Sequence, residues 1–128
     1  MLETSYRVIE RDELALFILP LEAPMSEAIK LLNEQRPDTK FLFVISAKNE
    51  LKGTITDGDI RRGILNGFGL DDALHKIMFS EPLSCRDNDT EDKIRKMMSQ
   101  ISSTTPFLPL VDADNALVSV LIGNRNTN

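Results

Sequence analysis

The 128-residue sequence has no tryptophan, one tyrosine, one histidine and one cysteine, and each scarcity removes a class of function. Cys85 has no partner for an internal disulfide, and a reducing cytoplasm is the expected setting. His75 stands alone and Cys85 falls on a predicted buried strand. Neither a metal set nor a Cys/His catalytic pair is supported, and His75 reads as a solvated helix-face residue. With Tyr6 as its only tyrosine, the chain lacks a platform on which single-stranded bases stack. No run of about 18 apolar residues occurs, so no membrane span is expected. Residues 1–7 lack the basic flank and apolar stretch of a signal peptide. Clustered bases are equally few: Arg61-Arg62, and the looser Lys93, Arg95 and Lys96. At a net charge of −5 the chain repels a phosphate-rich polymer, which excludes nucleic acid as a partner. One small phosphorylated ligand remains within reach of so few cations.

What is present is an ordinary soluble composition, 41% hydrophobic and 27% charged, sufficient for one compact domain or two small lobes. An internal repeat organises it. Under a shift of 66 positions Phe41-Leu42 falls on Phe107-Leu108, Ala47 on Ala113, Asn49 on Asn115 and Leu51 on Leu117. The register runs without a gap from Ala28–Asp59 onto Ile94–Arg125. Two copies of one supersecondary unit are the simplest cause.

Each copy opens on a short apolar stretch, Leu16–Leu19 and Pro82–Cys85. An amphipathic helix follows, carrying Ala28, Leu31 and Leu32 in the first copy and Ile94, Met97, Met98 and Ile101 in the second. Ser26 and Thr90 are the predicted caps. Next comes a hairpin. The first runs Phe41–Ser46, turn Ala47–Glu50, then Leu51–Thr56. The second runs Phe107–Val111, turn Asp112–Asn115, then Ala116–Ile122. The first copy continues into a helix from Asp57 to about Asn66, with Ile60 and Ile64 on one face and Leu65 alongside, ended by Gly67 and Gly69. A helical linker over Asp71–Met78 leads to the second copy. That copy stops at the polar Gly123–Asn128, so either another element covers its core or the natural chain continues. The expected domains are residues 1–70, an N-terminal segment with the first repeat, and residues 71–128, the linker helix with a C-terminally shortened second repeat.

The chemically informative stretch is Gly53-Thr54-Ile55-Thr56-Asp57-Gly58-Asp59-Ile60-Arg61-Arg62. It reads as strand, sharp turn, helix start. A helix N-terminus offers unpaired amides and partial positive charge to a phosphate. The Thr56 hydroxyl can donate to that phosphate. The Asp59 carboxylate, an acceptor only, suits two neighbouring ribose hydroxyls. Arg61 and Arg62 can reach a phosphate tail. The structural alternative is that Thr56 is an N-cap and Asp59 its capping-box partner, with no ligand. The second copy builds the same hairpin without these polar residues, which favours the ligand. A calcium loop starting at Asp57 fails, because Arg61 and Phe68 occupy positions that need oxygen ligands.

A Gly-hydrophobic-hydrophobic-Thr-x-x-Asp motif after a strand, in a paired repeat with a linker, resembles the CBS (cystathionine-β-synthase) domain pair. The Thr-Asp-Gly-Asp-Ile-Arg-Arg wording is similar to pairs attached to sugar-phosphate nucleotidyltransferases and isomerases. The resemblance implies an α+β fold of two β-α-β-β-α repeats about a pseudo-twofold axis, with adenosine ligands in the clefts. It implies AMP, ADP or ATP as ligand, phosphate at Thr56 and ribose at Asp59. Gly58, Arg61 and Arg62 complete that motif. By the same resemblance, adenine lies against Leu19, Pro20 and Leu21 and against Lys40, Phe41 and Leu42. The shift puts Ser119, Ile122 and Arg125 where Gly53, Thr56 and Asp59 stand, so one competent and one impaired site are expected.

The leading expectation is therefore a non-catalytic regulatory module needing no cofactor or metal, forming a homodimer and controlling an attached or partner nucleotidyltransferase. The alternative is an assembly module that dimerises with no bound ligand. No general-base pair or nucleophile constellation supports an enzyme.

Overall fold

The structure is a computed structural model describing residues 6–101 and 107–123. In chain order its elements are β1 (Tyr6–Ile9), α1 (Arg11–Leu14), β2 (Ile18–Pro20), α2 (Met25–Glu34), β3 (Phe41–Ile45), β4 (Leu51–Thr56), α3 (Asp57–Leu65), β5 (Cys85–Arg86), α4 (Glu91–Met98), β6 (Phe107–Val111) and β7 (Leu117–Gly123). Two compact units result: Ala15–Pro82, and Met1–Leu14 taken with Leu83–Asn128. The expected mixed α+β class stands, as two small sheets with their own helices.

The Ala15–Pro82 unit carries a three-stranded sheet in the order β2-β3-β4, with β2 parallel and β4 antiparallel to β3. Side chains alternate across it. Leu42, Val44 and Ile55 point into a core with Met25, Ala28, Leu32, Ile60 and Leu74. Phe41 and Phe43 lie on the opposite face and are equally buried. Phe17 stacks on Phe41 at a centroid distance of 5.4 Å. The glycine at position 53 has a specific reason. A Cβ there would lie 2.5 Å from Met78 Sδ and 2.7 Å from the Phe79 carbonyl oxygen. Its absence lets the 78–79 segment close on β4, where Thr54 and Phe79 exchange two backbone hydrogen bonds of 3.0 and 2.9 Å.

The other unit carries a four-stranded sheet, β1-β7-β6-β5. Cys85, Met98, Leu108 and Leu121 form a core there, with Ile94, Met97 and Ile101 packed against it. Its outer strand β1 pairs antiparallel with β7.

The repeat extends to individual hydrogen bonds. Phe41 opposes Thr56 as Phe107 opposes Ile122, and both ladders carry an irregularity at matching places, Val44/Ile45 and Leu110/Val111. Both hairpin turns put an asparagine in the left-handed region, Asn49 at φ 68° and Asn115 at φ 67°, a conformation that asparagine tolerates better than most residues. Leu19 pairs beside Val44 as Cys85 pairs beside Leu110.

Thr90 caps α4 as expected, its hydroxyl accepting from the Lys93 amide at 3.2 Å. Three other expectations need correction. Ser26 does not cap α2. Pro24 holds the cap position, and the free amides of Met25 and Ser26 donate to the carbonyls of Asp72 and Leu70 at 2.8 and 3.0 Å. The Asp71–Met78 linker is no α-helix and holds only a 3-10 turn at Leu74–Lys76. Leu74 and His75 donate to Ala23 and Leu21, and Phe79 to Thr54, so their amides go to other segments rather than to a helical ladder. Asp72 does not start a helix either; it accepts the Gly69 amide at 2.7 Å in a tight turn. Of the α3 face, Ile60 is buried but Ile64 and Leu65 are 53% and 83% exposed. Arg125 and the polar tail lie outside the described residues.

Candidate functional site

The site is built where β4 turns into α3. Thr56 ends the strand in extended conformation (φ −127°, ψ 175°) and is the N-cap of α3. Three residues on, Asp59 turns its carboxylate back over that cap. Oδ2 accepts the Thr56 amide at 2.9 Å and the Thr56 hydroxyl at 3.1 Å. Oδ1 accepts from Arg62 Nη2 at 2.7 Å. Asp59 is buried, at 7% exposure. A buried carboxylate is stable only when hydrogen-bonded or paired, and here it is both. The capping box weighed against a ligand in the sequence is thus present in the structure, and it adds an ion pair that the sequence analysis did not anticipate.

Gly58 lies beneath that pair. A Cβ on it would come 3.3 Å from Arg62 Nη1, so the glycine lets the guanidinium lie low across the turn. Arg62 is therefore bound to Asp59, although its side chain remains 67% exposed. Arg61 points elsewhere. With Lys40, Asp57, Ile29, Leu32, Asn33 and Ile60 it lines an open groove of about 280 Å³ beside the start of α3. That volume is just below the range of ligand sites, roughly 300 to 1,000 Å³. Lys40 is partly committed, since its Nζ donates to the Leu32 carbonyl at 2.9 Å near the end of α2. That carbonyl also accepts the Gln35 amide at 3.1 Å, and a cationic head suits the negative end of the helix.

The strand register settles which expected residues meet. Phe41 lies directly across from Thr56, so Lys40, Phe41, Thr56, Gly58, Asp59, Arg61 and Arg62 gather at one end of the β3-β4 hairpin. Leu42 does not present its side chain there; it is fully buried in the core beneath the helices. Leu19, Pro20 and Leu21 are not brought there either. Pro20 pairs beside Ile45, four residues along β3 from Phe41, or about 13 Å at strand spacing. Leu19 and Leu21 pack against the same core as Leu42. The aromatic wall near Thr56 instead includes Phe17, through its stack on Phe41. An apolar pattern cannot reveal this, because parallel register is set by pairing partners distant in sequence.

Among the described residues, no group of three or more His, Cys, Asp or Glu side chains could hold a metal ion. No helix among them is long and apolar enough to cross a membrane.

Comparison with known proteins accords with this geometry. Residues 12–66 match the family model described as CBS domain, and they contain the whole β4–α3 site. The comparison with curated proteins gives no match. Solved structures are similar in fold at low identity. OpuCA from Staphylococcus aureus is 21% identical with a TM-score of 0.68, the match covering 83% of this chain and 84% of that one. CBSX2 in complex with AMP is 22% identical with a TM-score of 0.69, covering 90% and 85%. The cytosolic domain of the Mg2+ channel MgtE in complex with ATP is 18% identical with a TM-score of 0.65, covering 83% of this chain but 41% of that one. Residues 12–66 are thus similar to the CBS domain, and the chain shares the α+β fold of solved CBS-pair proteins.

Proposed function

We propose that this chain is a non-catalytic regulatory module that binds an adenine nucleotide beside Thr56 and Asp59. The observation that carries the reading is the buried Asp59 carboxylate, at the N-terminus of α3, next to a groove lined by Lys40 and Arg61. Phosphate suits the helix start and the cations around it. Ribose suits the carboxylate. Two similar folds are described with AMP and with ATP bound, which supports the choice of nucleotide. Of the expected adenine contacts, Lys40 stands close enough to Thr56 to serve; Phe41 lies across from Thr56 but its side chain is as buried as that of Leu42, and Leu19, Pro20 and Leu21 join only through a ligand that extends along the sheet. No cofactor or metal is required by this reading, and the regulated activity belongs to an attached or partner enzyme, for which a sugar-phosphate nucleotidyltransferase is our candidate on the Thr56–Arg62 wording. A cytoplasmic setting fits the single thiol.

The test is a thermal-shift series with AMP, ADP, ATP and S-adenosylmethionine, followed by calorimetry. A nucleotide that binds the folded chain raises its melting temperature. Unchanged melting with all four ends the proposal.

A second reading, an assembly module without ligand, has its own support. The Asp59 carboxylate is already served by Thr56 and Arg62, and Ile64, Leu65 and Leu70 expose large apolar side chains. Homodimer formation through that face is compatible with either reading. Light scattering of Leu65→Glu against wild type tests it; equal mass for both places the contact elsewhere.

A further inference from the structure

The four lone-pair sites of a carboxylate can be counted. At Asp59 three are taken: two on Oδ2 by the Thr56 amide and hydroxyl, and one on Oδ1 by Arg62. One remains. A ribose presents two adjacent hydroxyls and needs two acceptors. Asp59 as it stands cannot grip both unless one existing donor leaves. The Thr56 amide is fixed by the backbone. The donors free to leave are the Thr56 hydroxyl, which can rotate, and the largely exposed Arg62 guanidinium. Both are drawn by the same thing, an anion at the start of α3. A phosphate there accepts the Thr56 hydroxyl and attracts Arg62, and it vacates one lone pair on each carboxylate oxygen.

Resting on the nucleotide-site reading above, we infer that the Arg62–Asp59 ion pair makes ribose recognition conditional on phosphate. Arg62 is then a specificity-determining residue. The site admits a phosphorylated ribonucleoside, whose own phosphate frees the carboxylate, and disfavours the bare nucleoside, which must break the ion pair without replacing it. Gly58 serves the same device, since its lack of a side chain lets the guanidinium reach Asp59 across the turn.

The experiment is calorimetry of AMP and adenosine against wild type, Arg62→Ala and Arg61→Ala. An exposed ion pair is a weak lock, so Arg62→Ala raises adenosine affinity only about two- to fivefold. It lowers AMP affinity about tenfold or more through the lost charged hydrogen bond. The preference for AMP over adenosine therefore falls about twenty- to fiftyfold, the product of these two changes. Arg61→Ala weakens AMP and does not raise adenosine affinity, since it is Arg62 that pairs with Asp59. A second measurement needs no variant. Inorganic phosphate, at matched ionic strength, raises adenosine affinity in wild type, because two ligands that favour one state favour each other. Adenosine binding that is unchanged or weakened by Arg62→Ala, with AMP still bound by wild type, overturns this inference and leaves the nucleotide site standing. Failure of wild type to bind AMP at all overturns the site reading and this inference with it.

Discussion

Replacing Asp59 separates what this carboxylate does for the fold from what it does for a ligand. Asp59→Ala strips the Thr56 amide and hydroxyl of their acceptor and removes a negative charge from the start of α3. Thr56 stays as the N-cap, so only the Asp59 half of the capping box is lost, and the favourable charge at the helix N-terminus is worth about 0.3–1 kcal/mol. A part-buried amide left without an acceptor adds about 1 kcal/mol. The Arg62 pair adds little, because its guanidinium is 67% exposed and surface pairs contribute at most about 1 kcal/mol. The total is about 1.5–3 kcal/mol, or roughly 4–12 °C in melting temperature for a domain of this size. Asp59→Asn keeps an oxygen for the Thr56 amide and the side-chain volume, and loses the charge. It costs about 1 kcal/mol. Urea denaturation of the three proteins reads these values directly. Both variants lose nucleotide-induced stabilisation, although the asparagine variant remains folded. An alanine variant within 0.5 kcal/mol of wild type would refute the cap energetics, and an asparagine variant that keeps full nucleotide stabilisation would refute the ribose role.

Other outcomes follow from particular contacts. Gly53→Ala puts a methyl against Met78 and the Phe79 carbonyl, and overpacking with loss of the Thr54–Phe79 bonds costs about 2–3 kcal/mol by urea denaturation. A cost below 0.5 kcal/mol would mean that the 78–79 segment does not close on β4. The Asp72 carboxyl is held below its ordinary value of 3.8, first by the Gly69 amide, against the opposing effect of desolvation, with the Lys76 hydrogen bond and charge lowering it further. A depressed folded-state value stabilises above pH 3.8 and that contribution disappears as pH falls through the folded value. Asp72→Asn therefore flattens the acid side of the stability profile; an unaltered profile contradicts the turn. Burial, aided by Asp89, pushes the Cys85 thiol above its ordinary value of 9.0, while Lys93 opposes this. At neutral pH it is protonated and enclosed, so thiol labelling is slow in the native protein and rapid in denaturant. Equal rates would place Cys85 outside the core.

The hairpins and their turns were legible because their signals are local. Alternating apolar residues and an Asx-rich turn specify Phe41–Thr56 and Phe107–Ile122, and one displacement relates both. Thr90 was legible as a cap for the same reason. Ser26 misled because α2 takes its caps from Leu70 and Asp72, more than forty residues away. The linker misled because Leu74, His75 and Phe79 spend their amides on other segments. At the site, motif chemistry identified Thr56 and Asp59, and an i, i+3 spacing allowed Arg62 to face Asp59. The spacing did not tell whether Arg62 serves the carboxylate or a ligand. The displacement of Leu19–Leu21 from the hairpin end depends on parallel register, which no stretch of local sequence encodes.

The central claim is that adenine nucleotide binds at the β4–α3 junction. An amide-resolved NMR titration of the whole chain with AMP tests it most directly. The account predicts saturable shifts centred on Thr56, Gly58, Asp59 and Arg61, absent in Asp59→Asn. Shifts confined to other segments, or none at all, would contradict it.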